Sequence, residues 1–216
     1  MFDQLFVPVF EGVAAMFRRN KFALFLASLC LTLPVDYTSA QDKETESKAA
    51  GQQDQELQKV EFAEGTMWAE APAAWNKVAP RFNMIEVEFS IPKEEGDDQN
   101  GRLTISVSGG GVEGNIERWK SQFSSPDGGA AEEPKVDEIE VSGMKAHIVD
   151  LKGSFADRPG GPNSPPTVRE NYRMLGAIVE TESAGMYFFK LYGPAKTMEA
   201  HADGFRKFIE SIKIVE

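Results

Sequence analysis

A glycine-rich turn is the feature of this sequence that comes nearest to a cofactor motif. The segment 109–114 (GGGVEG) matches the spacing GxGxxG between an expected strand and an expected helix. In dinucleotide-binding proteins such glycines let a pyrophosphate approach the helix N-terminus. Here the preceding strand alternates with polar residues, unlike a buried parallel strand, and Glu113 would add negative charge beside the phosphates. The pattern therefore predicts a tight turn and no cofactor.

Three residues after this turn, Asn115, Arg118 and Trp119, form the candidate surface for a ligand or a partner. An arginine can pair with a carboxylate, and a tryptophan can stack on a flat or cationic group. The alternative is that Trp119 packs in the core while Arg118 is solvated. The sequence favours this alternative, because an aromatic residue on an amphipathic helix usually faces the core.

The remaining polar residues show no arrangement typical of catalysis or metal binding. The acidic turn at 97–101 lacks the alternating ligands and the distal glutamate of a calcium loop. His147 and His201 are the only histidines, and neither has a cysteine or second histidine nearby. No GxSxG nucleophile motif occurs. We therefore predict no catalytic residues, no metal and no cofactor.

Charge and cysteine content narrow the classes of partner. The 216 residues include 34 acidic and 23 basic ones, for a net charge of -11. Nucleic acids and anionic lipids select basic surfaces, so we expect neither as a partner. Cys30 is the only cysteine. If the N-terminal apolar stretch around it is removed, disulfides, cysteine-based zinc sites and a cysteine nucleophile are all excluded.

The first 40 residues have the order of a secretory signal peptide. A basic cluster at 18–21 precedes an apolar run at 22–33, and small residues follow at 38–40. The run is too short for a bilayer, which needs about 20 apolar residues. We therefore predict cleavage after Ala40, export to the periplasm or the extracellular space, and no stable transmembrane segment after cleavage.

Three alternatives to this interpretation stay open. Translation can start at Met16, which would bring the basic cluster next to the N-terminus. Cys30 can be the lipidated residue of a lipoprotein, although bulky Leu29 before it disfavours this. The run at 22–33 can also be a buried helix, which its basic flank makes less favourable.

The expected mature chain consists of a polar linker at 41–59 and a single domain at 60–216. Alternating apolar residues predict half-buried strands, and three-to-four spacing predicts helices. Pro72 to Trp75 is predicted to form a helical turn, Asn115 to cap the first helix, and 155–167 to form a loop. The predicted order is strands at 85–91 and 103–107, a helix at 115–123, strands at 136–141, 144–151, 172–179 and 186–192, and a helix from 194.

This order of elements predicts an α+β domain with a mainly antiparallel sheet flanked by helices. The tryptophan-containing start, the hairpin, the Gly-Gly stretch and the Asn115, Arg118, Trp119 pattern together resemble the PsbP/Mog1-like fold. The segments 172–178 and 189–194 add to the resemblance. More closely, the chain resembles exported bacterial proteins of unknown function with that fold, over about residues 62–214. The resemblance implies an α/β/α sandwich and no particular activity.

We therefore expect an exported, non-catalytic binding or assembly module with an unknown protein or small-molecule partner. A second hypothesis is a hydrolase that uses carboxylates, which requires two of them in one cleft with separated pKa values. A third is a structural protein of the cell envelope, held by the polar segment at 41–59.

Overall fold

The computed structural model describes residues 56–161, 163–181 and 185–215. The predicted signal peptide and most of the predicted linker lie outside these ranges. Neither helix within them has the length and hydropathy of a membrane-crossing segment. The elements are β1 (Leu57–Phe62), β2 (Met67–Pro72), β3 (Asn76–Val78), β4 (Ile85–Ile91), β5 (Gly101–Ser108), α1 (Val112–Lys120), β6 (Phe123–Ser124), β7 (Lys135–Val141), β8 (Met144–Asp157), β9 (Thr167–Glu180), β10 (Met186–Pro194), α2 (Ala195–Glu210) and β11 (Lys213–Ile214).

Two antiparallel sheets build the domain. The larger has the order β3-β4-β5-β10-β9-β8-β6, with β7 also paired to β8, and the smaller has the order β1-β2-β11. Every pairing among the described strands is antiparallel. The predicted α+β class, with a mainly antiparallel sheet and flanking helices, is confirmed.

The two faces of the large sheet are covered differently. One face, here the α2 face, packs against α2 and the small sheet around fully buried side chains that include Trp75, Phe89, Phe189, Phe205 and Phe208. The opposite face, here the α1 face, carries a smaller apolar cluster under α1 that includes Trp119, Val149, Met174, Ile178 and Phe188. The central strands β9 and β10 are buried on both faces, as their continuous apolar runs predict.

Several local predictions hold. The β4–β5 hairpin forms where alternation predicted it. β7 and β8 join through Ser142 and Gly143, both with positive φ (48° and 79°), as a two-residue hairpin turn requires. The helix from 194 begins at Ala195, directly after Pro194, and buries Met198, Phe205 and Ile209.

Other local predictions are wrong or incomplete for identifiable reasons. The helical turn predicted at 72–75 is a single hydrogen-bonded turn, in which the Trp75 backbone N–H donates to the Pro72 carbonyl oxygen at 3.0 Å. Pro72 itself ends β2, because β2 pairs along its length with β1 and a final strand position tolerates proline. β8 and β9 are each 14 residues long, so the loop between them covers only 158–166. Short strands such as β3, β6 and β11 were not predicted because two or three residues show no periodicity. β1 begins at Leu57, within the predicted linker.

Candidate functional site

A polar group of side chains lies on the α1 face of the large sheet, beside the apolar patch that α1 covers. We call it the Lys190 cluster, and it consists of Glu88, Arg102, Gln122, Phe155, Lys190 and Tyr192. Apart from the contact between Lys190 and Tyr192 on the same strand, the contacts within it join residues from different elements. The cluster is therefore a product of the sheet topology and not of a local motif.

Strand register brings these side chains together. Lys190 and Tyr192 alternate on β10 and so point to the same face. Tyr192 lies opposite Arg102 of β5, and Lys190 lies opposite Thr104. Thr104 in turn lies opposite Glu88 of β4. Directly paired residues share a face, so cation, carboxylate and phenol come within contact distance.

Glu88 and Arg102 form a two-pronged ion pair at one end of the cluster. Arg102 donates from Nε and Nη2 to the two carboxylate oxygens of Glu88, at 2.8 and 2.9 Å. The backbone N–H of Arg81 donates to Glu88 Oε2 at 3.0 Å. Burial alone would raise the pKa of Glu88, but Arg102 and Arg81 lower it below its usual value. Glu88 therefore stays ionised, with its oxygens occupied.

Lys190 differs from Glu88 and Arg102 because it has no carboxylate partner among the described residues. Its Nζ donates to Gln122 Oε1 at 2.6 Å and lies 5.1 Å from the ring centroids of both Phe155 and Tyr192. The side chain is half-buried. A lysine between two aromatic faces gains cation–π attraction, but two of its three donors are left for another acceptor.

The surroundings of Lys190 disfavour its charged form. Burial and, next, the positive charge of Arg102 lower the pKa of Lys190 to about 7, and Arg118 adds to this effect. Asp157 acts in the opposite direction. The amine therefore changes protonation near neutral pH, where an ordinary lysine is fully charged.

A second cation with an unmet donor lies next to Phe155. Arg169 of β9 is paired directly with Phe155 of β8, and a left-handed residue, Asn171 (φ 54°), accompanies the register shift there. Arg169 Nε is 3.6 Å from Asp157 Oδ2, which makes an ion pair but not a hydrogen bond. That buried nitrogen has no hydrogen-bond partner among the described residues.

A cleft of about 610 Å³ adjoins the cluster at the Glu88–Arg102 pair. Arg81, Ser90 and the β4–β5 connection also line it. That connection is held by Asp97, whose carboxylate accepts the backbone N–H of Thr197 in the first turn of α2 at 2.9 Å. Because a helix N-terminus has free N–H groups, this bond fixes the cleft wall to α2.

The candidate residues from the sequence, Asn115, Arg118 and Trp119, lie on α1 beside this site. Trp119 is buried against Phe188, and the Asn115 side chain donates to the carbonyl oxygens of Gly109 and Gly111. Asn115 is not a helix cap, since α1 already begins at Val112. Its amide instead fastens the glycine-rich turn, and its oxygen accepts a hydrogen bond from Arg118.

Arg118 is the exposed one of the three residues, and its positive charge helps to lower the pKa of Lys190. The binding role of Asn115, Arg118 and Trp119 stays a prediction. The glycines at 109–111 form the strand-to-helix turn that the sequence favoured, and 112–114 already belong to α1.

The two histidines and the acidic turn have structural partners. His201 lies between the Trp75 indole nitrogen (3.1 Å) and the Pro92 carbonyl oxygen (3.1 Å). His147 Nε2 lies 2.8 Å from Glu180. Among the described residues no three His, Cys, Asp or Glu side chains come together as metal ligands. Asp97 of the acidic turn accepts a hydrogen bond from the Thr197 backbone N–H of α2.

Sequence reasoning missed the Lys190 cluster. Glu88 lies in the alternating segment 85–91, where the pattern predicts a half-buried strand with charged residues on its polar face, yet its exposed fraction is 1%. One signal was available: Lys190 interrupts the apolar run 186–192, which was assigned to a strand covered on both faces. A cation at such a position needs a specific partner or a ligand.

Solved structures of other proteins resemble this fold at low sequence identity. PsbP from the cyanobacterium Synechocystis matches with a TM-score of 0.49 and 13% identity, over 79% of this chain and 99% of PsbP. A Pseudomonas aeruginosa protein of unknown function, described as a putative regulator, matches at 0.43 and 13%, over 74% and 98%. The Ran-binding protein Mog1p of Saccharomyces cerevisiae matches at 0.44 and 8%, over 75% and 97%.

PsbP and Mog1p are the proteins after which the fold that the sequence resembles is named. Similarity at this level does not indicate what the present chain binds. No protein-family model matches the chain, and no curated protein matches it.

Proposed function

We propose that this chain is an exported, non-catalytic binding module whose ligand site is the Lys190 cluster with its adjoining cleft. The observation that carries the proposal is Lys190 itself, a half-buried cation between two aromatic rings with no carboxylate partner among the described residues. Such a group costs folding free energy unless something pairs with it. Sites that bind ligands commonly retain groups of this kind.

The cleft beside the cluster has the size of a small-molecule site and a mainly polar lining that includes Arg81, Glu88 and Arg102. Its volume of about 610 Å³ falls within the ~300–1,000 Å³ typical of ligand pockets. Outside the cleft lining, on the Lys190 side of the cluster, the half-buried ring of Tyr192 supplies apolar surface, backed by the buried rings of Phe155 and Tyr172, with neighbouring centroids 5.2 to 6.0 Å apart. A few polar groups converge beside these rings, as in sites that orient a ligand.

The cluster gives little support to the hydrolase hypothesis. That chemistry needs one carboxyl group that holds a proton near neutral pH. Glu88 has a lowered pKa and both oxygens bound, so it is a poor proton donor. The other carboxylates of this region are Asp157, which pairs with Arg169, and Asp98, which lies in the cleft lining. Binding therefore accounts for the arrangement better than carboxylate catalysis does.

Export is the first testable element of this proposal. We expect the protein isolated from its native envelope fraction to have an intact mass that begins at Gln41, because the basic, apolar and small-residue order of 18–40 favours cleavage after Ala40. A mass beginning at a lipid-modified Cys30 would indicate a lipoprotein. A mass that retains Met1 or Met16 would contradict signal cleavage, and residues 22–33 would then form an anchor or a core helix.

Binding at the cluster is tested with a thermal-shift screen of a small-molecule library that holds equal shares of anionic, neutral and cationic compounds. We expect hits whose affinity falls at least about tenfold in Phe155→Leu, which keeps apolar volume but removes one ring beside Lys190. Trp68→Leu is the matched control, since Trp68 is a half-buried aromatic residue of the small sheet. If no compound binds, or if both variants bind alike, the cluster is not the site.

A further inference from the structure

We infer that the ligand of the Lys190 cluster is a small anionic compound, whose carboxylate or phosphate group is held by Lys190 and whose apolar part lies against the aromatic rings. This inference rests on the proposed function and names its ligand class. Three independent features of the described residues support it.

The first feature is a local reversal of charge. The whole chain carries a net charge of -11, so its surface as a whole repels anions. Around Lys190, however, cations outnumber carboxylates, and the main carboxylate, Glu88, is already paired on both oxygens. The cations are Arg81, Arg102, Arg118, Arg169 and Lys190, and the carboxylates are Glu88, Asp98 and Asp157.

The second feature is a surplus of hydrogen-bond donors. In its charged form, which an anion favours, Lys190 has three N–H donors and uses one of them on Gln122. Arg169 Nε is buried and has no hydrogen-bond partner among the described residues. Carboxylate and phosphate groups are pure acceptors that bind such donors with strong, charge-assisted hydrogen bonds. A neutral acceptor would meet these donors without the charge assistance, and a cationic group would be repelled.

The third feature is the apolar wall beside the amine. Phe155 lies nearly parallel to Tyr172, at an interplanar angle of 9°, and contacts Tyr192 at 5.2 Å. Lys190 Nζ is equally distant, 5.1 Å, from the Phe155 and Tyr192 ring centres. Phe155 and Tyr172 are buried and Tyr192 is half-buried, so an anionic group at Nζ has the exposed part of the Tyr192 ring next to it. This favours a ligand that joins a negative group to a flat or apolar part.

Proton uptake gives this proposal a distinctive signature. Free of ligand, Lys190 is mostly neutral above pH 7, because burial and Arg102 lower its pKa to about 7. An anion beside Nζ favours the charged form, so binding at pH 8 must draw a proton from solution. Affinity should then fall up to about tenfold for each pH unit above 7. Ligands held only by Arg102 or Arg169 would show no such dependence, since arginine stays charged.

The test is isothermal titration calorimetry of the full chain at pH 8 with phenylacetate, phenyl phosphate and the uncharged phenylacetamide. Each anion is titrated in two buffers that differ in ionisation enthalpy, which gives the number of protons taken up. We expect one or both anions to bind with uptake of nearly one proton, and phenylacetamide to bind at least about tenfold more weakly. Comparison of the two anions distinguishes a carboxylate site from a phosphate site.

Variants separate Lys190 from the rest of the cluster. Lys190→Met should lose anion binding while remaining folded, since an apolar chain of similar length replaces a half-buried cation. Lys190→Arg should bind anions without proton uptake. Lys145→Met, which alters an exposed lysine of β8, should behave like the unaltered protein.

Four results would overturn the inference: no binding of either anion, equal binding of phenylacetamide, binding that Lys190→Met leaves unchanged, or binding without proton uptake. Neutral library hits that respond to Phe155→Leu would keep the proposed function and reject the anionic ligand. If an acidic peptide binds at Lys190 and both small anions fail, the site serves a polypeptide partner instead.

Discussion

Glu88→Gln is expected to lower the free energy of unfolding by about 3–5 kcal/mol at pH 7, the usual loss when one partner of a buried ion pair is removed. Glu88 has an exposed fraction of 1%, and the Arg102 side chain is 16% exposed. The amide would accept one hydrogen bond from Arg102 but would leave the guanidinium charge without a counter-charge. Urea unfolding of the two proteins at pH 7 measures the difference.

The Glu88–Arg102 pair also makes the free energy of unfolding depend on pH in the acidic range. Because Arg102 and Arg81 hold the pKa of Glu88 below its ordinary 4.5 in the folded protein, the native state binds this proton less readily than the unfolded chain does. The contribution of Glu88 is therefore fully present above about pH 5 and is lost as the pH falls through its folded pKa. The difference between Glu88→Gln and the unaltered protein should shrink accordingly below pH 4.5.

A double variant, Glu88→Leu with Arg102→Met, is the matched control for the ion pair. Replacement of both charges by apolar groups of similar size is often neutral, so this variant should lose less stability than Glu88→Gln alone. The Arg102 bond to Tyr192 Oη, at 2.7 Å, is lost in the double variant as well. If Glu88→Gln lowers the free energy of unfolding by less than about 1 kcal/mol, the Glu88–Arg102 pair is solvated like a surface ion pair and Glu88 is not buried in solution.

The parts of the fold that were predictable are those with a periodic signal. Alternation over 85–91 and 103–107 predicted the hairpin, and the spacing of Met198, Phe205 and Ile209 predicted α2. The prediction was less accurate at Pro72, where a helix-start signal and a strand pairing apply to the same residue. Pro72 carries a helix-start signal, yet pairing with β1 kept it in a strand. Tertiary pairing overrides a local preference of this size.

The candidate site was not predictable because its parts meet only through sheet register. Glu88 and Arg102 lie on neighbouring strands, but Lys190 is 68 residues from Gln122, its hydrogen-bond partner. Sequence reasoning did place Trp119 in the core as its favoured reading, which the structure matches. It could not predict that Trp119 contacts Gly176 of β9, because neither segment carries a pattern that depends on the other.

That glycine leads to the second large effect: Gly176→Ala is expected to destabilise the protein by about 1–3 kcal/mol, the usual cost of overpacking a core. A β-carbon at position 176 would lie 2.4 Å from Cζ3 of Trp119. The tryptophan is buried and packs edge-on against Phe188, so the ring cannot move without lifting α1 from the sheet. Thermal and urea unfolding of the variant measure the cost.

The position of Gly176 also connects this packing to the site. Gly176 lies directly opposite Lys190 on β10, so a displaced Trp119 would disturb the face that carries the amine. Gly176→Ala should therefore also weaken any ligand of the Lys190 cluster. A second change, Trp119→Leu, should recover part of the stability, because it makes room for the methyl group. If Gly176→Ala destabilised the protein only through the strand conformation, Trp119→Leu would recover nothing.

Gly114→Ala is the matched control for the glycine substitution. Gly114 lies within α1, is exposed, and a β-carbon there would have no neighbour within 4 Å. Alanine favours a helix over glycine by about 0.5–1 kcal/mol, so this variant should be slightly more stable than the unaltered protein. If Gly176→Ala also proves neutral or stabilising, Trp119 does not lie flat on β9, and α1 is not anchored to the sheet by that contact.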